Sequence, residues 1–380
     1  MRIVVVMPLG RQLGGGELML AQLLRQKHDP DVAFTVIFLR DGPMVAEARA
    51  QGHDVRVVEA GRFRALRRRW AAVRAIVAIA RDVHADVLLA WMVAAQPMVG
   101  LASMLSGIPA VWYQVGLPSG DLLDRIATAL PARGVLVLSQ AGAAAQHALR
   151  PRRPQRLVYP GVSLEKYDAS TLPSAGELRA ALGLPLHGPL IGMVGRLQRW
   201  KGMHVVIDAM PSVLAAHPDA HLVIVGGAHE TEPDYPTELA AQIERLGVGA
   251  QVTIAGFQQD IPCWMQAMDV VVHASDREPF GIVVIEAMAL GKPVVAGAAG
   301  GPAEVITDGV NGLLAPYGDS AAVARAVSRF LDDPGFAASC GANAVGRAHA
   351  FEESRYARAV VQAVRELIAP ALRRSQHSDS

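Results

Sequence analysis

Short apolar runs alternate with longer amphipathic stretches along almost the whole chain. The run RIVVVMP at 2–8 is followed by a helical pattern over Glu17–Lys27. Further strand-length runs fall at 34–39, 54–58, 86–91, 109–114, 134–138 and 156–159, with another helical stretch over Asp121–Leu130. A second series starts at PLIGMVG (189–195) and continues through HLVIVGG (221–227), VTIAG (252–256), DVVVHA (269–274) and PVVAG (293–297). Continuous apolar runs suit strands covered on both faces, and strands alternating with helices build parallel sheets. The pattern therefore predicts an α/β protein with two doubly wound parallel-sheet domains. Several Pro and Gly residues mark 160–188 as the linker region, giving domains at 1–170 and 171–350. An amphipathic helix is expected over Phe351–Leu372, and a polar, disordered tail over Arg373–Ser380.

One segment invites a different reading. Val87 to Gly120 holds no charged residue, long enough to suggest a membrane span. Gln96-Pro97, Ser106-Gly107 and Pro109 divide it into strand, helix and strand lengths, which favours a buried α/β core. The length of 380 residues agrees with two domains. Aromatic residues make up only 5% of the chain, so Ala, Val and Leu must fill the cores. Cys263 and Cys340 supply neither a disulfide framework nor metal-ligand spacing, and the N-terminus opens directly on a strand without a cleavable signal pattern. A cytoplasmic setting is expected. Arginines far outnumber the four lysines, a bias of GC-rich bacterial genomes, yet Lys201 and Lys292 both fall inside the motifs below. Net charge is +1, but residues 1–170 carry 21 Lys and Arg against 13 Asp and Glu, while the remainder is acidic. A basic N-terminal half points to an anionic acceptor or a membrane surface, with ordinary solubility charge as the alternative.

The richest chemistry lies between Asp276 and Asp319, in DREPFGIVVIEAMALGKPVVAGAAGGPAEVITDGVNGLLAPYGD. Glu278 and Glu286 stand eight positions apart around a Pro-Phe-Gly turn and a helix over Ile282–Leu290, ended by Gly291. Unpaired N–H groups of Gly281, Ile282 and Val283 at that helix start would form an anion site, and a carboxylate suits vicinal hydroxyls because its two oxygens accept two O–H bonds. Upstream, VGRLQRWKG places Gly195, Arg196 and Lys201 just beyond a strand, where open α/β sheets bind ligands. An arginine fork and a lysine point charge can hold a diphosphate leaving group. Weaker candidates are Gly226-Gly227 and Gly256-Phe257 at strand ends, Gly300-Gly301, and the loop Gly14-Gly15-Gly16 opening the first long helix. Each is equally an ordinary turn glycine. A dinucleotide site fits that loop poorly, since no G-x-G-x-x-G occurs and the link from Pro8 to Glu17 is long.

Together, VGRLQRWKG and the Glu278–Glu286 run resemble the donor site of the retaining GT-B glycosyltransferases. That family includes sucrose synthase and many bacterial mannosyl- and glucosyltransferases. The resemblance spans nearly the whole chain and is densest from Gly192 to Asp319. It implies two Rossmann-like domains facing a central cleft, with the C-terminal helix crossing back onto the first domain. It implies transfer of a hexose from a nucleoside-diphosphate sugar to a glycan, lipid-linked or small-molecule hydroxyl, as in bacterial cell-surface polysaccharide or glycolipid synthesis. Neither a cofactor nor a metal is implied, and no nucleic-acid partner. By resemblance, Arg196, Lys201 and Glu278 are the catalytic group, with Glu278 on the donor sugar hydroxyls and Glu286 on the ribose. Gly15, Gly16, Gly195, Gly226, Gly256, Phe257, Phe280, Gly281, Ile282 and Val283 complete the donor site. The chain departs from the family at Gln114, after PAVWY, where many relatives carry a His. Gln114 cannot act as a base but can hydrogen-bond a sugar hydroxyl on the acceptor side. Two readings from other classes stay open: a sugar-nucleotide epimerase or hydrolase on the same architecture, and a non-catalytic nucleotide-sugar-binding protein.

RFRALRRRWAAVRAIV (62–77) spaces Phe63, Leu66, Trp70, Val73 and Val77 along one helical face, with Arg62, Arg64, Arg67, Arg68, Arg69 and Arg74 on the others. Such a helix can lie on anionic lipid at the inner face of the plasma membrane, or hold an acceptor phosphate through Arg67, Arg68 and Arg69. The same pattern also suits a helix packed on its sheet with solvated arginines outside.

Overall fold

The computed structural model describes residues 1–12, 14–61, 65–150 and 152–375. Arg62, Phe63 and Arg64, which open the expected arginine-rich helix, lie outside the described residues, as does the end of the polar tail at 376–380.

The chain forms two compact units, one of Met1–Gly161 with the segment from Glu353 onward, the other of Val162–Glu352. Residues 162–170, placed by sequence with the N-terminal half, thus belong to the second unit. The reason is local. Val162 donates its N–H to the Phe351 carbonyl at 2.7 Å, so the chain enters and leaves this unit side by side. The expected linker is also structured: Ser174 and Glu177 form a capping box that starts the helix Ala175–Leu182. From that helix the buried Arg179 reaches Asp269 at 2.6 Å and the Ala267 carbonyl at 2.9 Å.

The first unit is built on seven parallel strands: β1 (Arg2–Met7), β2 (Ala33–Phe38), β3 (Asp54–Val57), β4 (Val87–Trp91), β5 (Ala110–Gln114), β6 (Val135–Val137) and β7 (Gln155–Leu157). Their spatial order is β3-β2-β1-β4-β5-β6-β7, so β1 pairs with both β2 and β4, and Ile3 faces Phe34 on one side and Val87 on the other. The uncharged stretch resolves into β4, the helix Gln96–Ser106 and β5, all free of charge because helices cover both faces of the sheet. Among the described residues no helix is long and apolar enough to cross a membrane.

The last helix, Glu353–Ser375, belongs to this unit. It buries Tyr356, Val360, Val364, Leu367 and Ile368, and Tyr356 donates its hydroxyl to the Met19 carbonyl at 3.2 Å. Arg25–Glu353 and Arg365–Asp31 ion pairs tie it down at 3.3 and 2.8 Å. It begins at Glu353 rather than Phe351, because the Phe351 ring is buried in the second unit against Phe280, with centroids 5.5 Å apart.

Six parallel strands form the second sheet: β8 (Leu190–Val194), β9 (His221–Val225), β10 (Val252–Gly256), β11 (Val270–His273), β12 (Val294–Gly297) and β13 (Leu313–Ala315). Their order is β10-β9-β8-β11-β12-β13. The strand β13 was not expected: three residues inside a turn-rich run give no periodicity, and pairing of Leu314 with Ala296 of β12 defines it. In each sheet the order reverses beside the first strand, between β1 and β4 and between β8 and β11. Open α/β sheets form a crevice at the carboxyl ends of such strands.

Candidate functional site

The second unit gathers its charged motif residues at that switch point. Past the end of β8, Gly195 donates to the Val225 carbonyl at 2.9 Å and Arg196 follows. The 3-10 turn Arg199–Lys201 then leads into the helix Met203–Ala216. Lys201 Nζ donates to Glu278 Oε2 at 2.6 Å and lies 4.1 Å from the centre of the Trp200 ring. His273, the last residue of β11, places Nε2 3.1 Å from the same Oε2, with Ser275 Oγ 3.2 Å from that nitrogen. Both bonds fall on Oε2, and Glu278 Oε1 takes part in neither.

Electrostatics separate the two glutamates. Burial alone would raise the Glu278 carboxyl, but the Lys201 ammonium and the His273 hydrogen bond outweigh it and hold it well below the usual carboxylate range. Glu278 is therefore an ionised, oriented acceptor. Glu286 is buried in the following helix, Ile282–Ala289, and its carboxyl is raised by burial, which a hydrogen bond from Tyr167 and the charge of Lys166 only partly offset. Tyr167 is pushed far up in turn, by its own burial and by the Glu286 carboxylate.

The other expected donor residues divide by what surrounds them. Gly281 caps the Ile282–Ala289 helix at φ 89°, a left-handed conformation that a side chain would strain, and no side chain caps that end. The amides of Ile282 and Val283 thus open the helix as expected. Phe280 differs from the expectation, since its ring is buried against Phe351 and only its backbone can serve a ligand. Gly226 differs too. A Cβ there would lie 1.7 Å from the Gly195 carbonyl oxygen, so the missing side chain lets β8 and β9 close together rather than leaving room for a phosphate. Its N–H is spent on the Gly256 carbonyl at 2.8 Å. Phe257 is 72% exposed, a free aromatic face beyond β10. Gly301 donates to the Glu278 carbonyl at 3.0 Å, which brings the Gly300-Gly301 turn against the Glu278–Phe280 backbone.

Several neighbours escaped the sequence reading. His229 holds Arg196 Nη1 at 3.1 Å through Nε2 and bonds Thr231 through Nδ1 at 2.7 Å. The position of His273 at the end of a central strand was a readable signal. For Tyr167 there was none, because it sits in a stretch without periodicity. Arg199 is engaged by Glu232 at 3.1 Å and by Glu238, which removes it from the free cations of the motif. Among the described residues, no group of three or more His, Cys, Asp or Glu side chains is placed to hold a metal.

In the first unit, Gly14 precedes the helix Gly15–Arg25, so Gly15 and Gly16 form its first turn. The Gly16 carbonyl accepts Trp91 Nε1 at 2.9 Å, which docks the loop at the end of β4. Met92, the next residue, takes a φ of 67°, a strained backbone at this sheet's switch point. Gln114 ends β5 and is buried. The arginine-rich helix runs over Leu66–Asp82 and buries Ala72, Val73, Ile76, Val77 and Ala80. Its first turns depart from the expected apolar face: Leu66 is 75% and Trp70 49% exposed, alongside Arg67 and Arg68. The core is met only from Ala72 onward.

Comparison with known proteins agrees with this arrangement. The family model for glycosyl transferases group 1 matches residues 174–347. HepE of Anabaena, solved in complex with UDP, is 30% identical and superimposes with a TM-score of 0.85 over 96% of this chain and 100% of its own. A D-inositol 3-phosphate glycosyltransferase of Frankia alni is 34% identical over 221 residues, 57% of this chain and 54% of that protein. The lipopolysaccharide core biosynthesis mannosyltransferase LpsB of Rhizobium meliloti is 32% identical over 173 residues, 45% of this chain and 49% of its own. The chain spans about half the length of the curated relatives it matches. With its two parallel-sheet units and a full-length relative at this identity, the chain belongs to the group 1 glycosyl transferases, of GT-B fold.

Proposed function

We propose that this protein transfers a hexose from a nucleoside-diphosphate sugar to a hydroxyl acceptor, with retention of anomeric configuration and without a metal ion. The observation that carries the reading is the Lys201–Glu278–His273 cluster at the β8/β11 switch point, with Arg196 two residues past the end of β8. Glu278, ionised and fixed through Oε2, offers Oε1 to the donor sugar's hydroxyls. Arg196, of which His229 engages only Nη1, and Lys201 face the diphosphate and stabilise the charge that grows on it. Phe257 supplies a stacking surface for the base, and Glu286 with Tyr167 the polar end for the ribose. UDP is the favoured carrier, because HepE has been solved with UDP, with UDP and glucose, and with UDP-glucose.

In the proposed step the acceptor oxygen attacks the anomeric carbon as the bond to the β-phosphate oxygen breaks on the same face. The departing phosphate oxygen takes the acceptor proton, so no enzyme base is needed, in keeping with Gln114. The acceptor is a glycan, a lipid-linked sugar or a small polyol phosphate, as the names of the Rhizobium and Frankia relatives suggest. Leu66 and Trp70, exposed beside Arg67 and Arg68, suit a helix lying on an anionic cytoplasmic leaflet. Cell-surface glycan or glycolipid synthesis follows as the setting.

The test is a panel of nucleotide sugars presented to the purified protein, with thermal stabilisation and nucleotide release followed with and without membrane extract and EDTA. One UDP-hexose should bind, extract should accelerate its release, and EDTA should not slow it. Lys201→Ala or Arg196→Ala should lower turnover by about 10²–10³. Binding of no nucleotide sugar overturns the reading, and release of free sugar unaffected by extract would replace transfer by hydrolysis.

A further inference from the structure

An open cavity of about 590 Å³ lies in the first unit at the amino ends of β5, β6 and β7, the edge of that sheet opposite Gln114. Four arginines line it, Arg133, Arg150, Arg152 and Arg153, and no carboxylate does. Arg133, Arg150 and Arg152 are exposed, whereas Arg153 is only 7% exposed. Arginine is rarely buried without a partner, and four unbalanced guanidiniums in one hollow repel one another.

Part of this cluster has a structural explanation. Arg150 Nη1 donates to the Thr128 carbonyl at 2.7 Å and Arg153 Nη2 to the Leu130 carbonyl at 2.8 Å, which satisfies the end of the helix Leu122–Ala129. The explanation covers one nitrogen on each of two arginines. Arg153 Nη1 is completely shielded and has no partner among the described residues. Burial, with the charge of Arg150 adding to it, pushes the Arg153 guanidinium down to about 10. A buried donor left unmade is costly, and natural structures leave few. A bound anion would relieve the mutual repulsion of the guanidiniums that line the hollow.

We infer that this cavity is a binding site for a phosphoryl group, held by Arg133, Arg150, Arg152 and Arg153. Guanidinium forks match phosphate oxygens in pairs, and a dianion balances several positive charges at once. The phosphoryl group comes either from a soluble phosphate ester or from a lipid headgroup. Met104, 64% exposed on the cavity wall, suits an acyl or interfacial neighbour in the second case.

The experiment titrates inorganic phosphate and pyrophosphate into the full-length protein by calorimetry. It compares wild type with the double variant Arg133→Ala/Arg152→Ala and with the donor-site variant Arg196→Ala/Lys201→Ala. Arg133 and Arg152 are exposed and make no hydrogen bond to a helix end, so their removal should leave the fold intact, checked by circular dichroism. The cavity variant should bind phosphate or pyrophosphate at least about tenfold more weakly, while the donor-site variant retains a component of wild-type affinity. A parallel sedimentation assay uses phosphatidylcholine vesicles with and without phosphatidic acid. Vesicle binding that weakens in the cavity variant assigns a lipid source, and phosphate binding without vesicle binding assigns a soluble one. Equal affinity of wild type and cavity variant for phosphate, pyrophosphate and acidic vesicles, or no binding of any of them, overturns the site.

Discussion

The bond between Lys201 and Glu278 provides the sharpest test of the site. Three proteins would be made: Lys201→Met, Glu278→Gln and the double variant. The ammonium and carboxylate stand 2.6 Å apart and are nearly buried. At an effective dielectric constant of about 20 their direct attraction is about 6 kcal/mol, most of it cancelled by the desolvation of both ions. Breaking a pair of this kind from one side costs about 3–5 kcal/mol, because the remaining charge is stranded. Two neighbours soften the loss here: His273 still serves Glu278 Oε2, and Trp200 still faces Lys201. Each single variant should therefore lose about 3 kcal/mol, the lower end of that range. In the double variant neither charge is stranded, so its loss should fall short of the sum by about 2 kcal/mol.

Urea unfolding reads these values as shifts in midpoint at constant slope. With a slope of about 1–3 kcal/mol per molar, each single variant should unfold roughly 1–3 M earlier. Single variants within about 0.5 kcal/mol of wild type, or strictly additive losses, would show that the two charges are not coupled. The oriented carboxylate on which the proposed donor site depends would then be absent.

Two further predictions rest on neighbouring residues. The glutamates should respond to pH with opposite signs. The Glu278 carboxyl is depressed in the fold, so its stabilisation is complete above its unfolded value of about 4.3 and drains away as pH falls below it. The stability gap between wild type and Glu278→Gln should thus be flat from pH 8 to 5 and shrink in acid. The Glu286 carboxyl is raised, so protonated Glu286 favours the fold at low pH and that advantage is lost as pH rises through the raised value. Glu286→Gln should gain on wild type at high pH and match it in acid, and parallel pH curves for the two variants would refute the assignment. Phe257→Ala should leave stability within about 0.5 kcal/mol, because the ring is so exposed, yet weaken UDP binding by about 1–3 kcal/mol in a calorimetric titration. Unchanged UDP affinity would remove Phe257 from the base site.

What could be read from the sequence follows physical range. The strands of both sheets were legible because buried parallel strands are written as local apolar runs. The exception, β13, is three residues long and exists through its pairing with β12. Lys201, Arg196, Glu278 and Glu286 were legible because strand ends and a turn-to-helix junction fix their neighbourhoods over a few residues. The contacts that give them their chemistry were not. His273 reaches Glu278 from the end of β11 and Lys201 from the turn that follows β8, and Tyr167 reaches Glu286 from a segment that looked like linker. Such meetings are set by the packing of the sheet. Gly226 and Phe280 show the converse error. Both are positions expected to serve the donor, yet backbone crowding accounts for the first and core packing against Phe351 for the second.

Charge shows how a weak signal in the sequence gains meaning from the fold. Divided at the boundaries of the folded units, the first holds 25 Lys and Arg against 14 Asp and Glu, a net of +11, and the second 11 against 21, a net of −10. The contrast is larger than the one visible in the linear halves, because the C-terminal helix returns its arginines to the basic unit. The proposed diphosphate site nevertheless lies in the acidic unit. Long-range attraction cannot place an anion there. Local geometry must, through Arg196 past β8 and Lys201 paired with Glu278. The basic unit concentrates its surplus in the Leu66–Asp82 helix and in the four-arginine cavity, where no carboxylate answers it. Salt should separate the two effects. Binding held by two cations in a partly buried site declines little with ionic strength, whereas attraction to the diffuse positive surface fades within a Debye length of about 8–10 Å at physiological salt. A nucleotide affinity that survives 0.5 M salt while vesicle binding disappears is what this division of charge requires. Equal salt sensitivity of the two would mean that net charge, rather than the arrangement around Glu278, governs both.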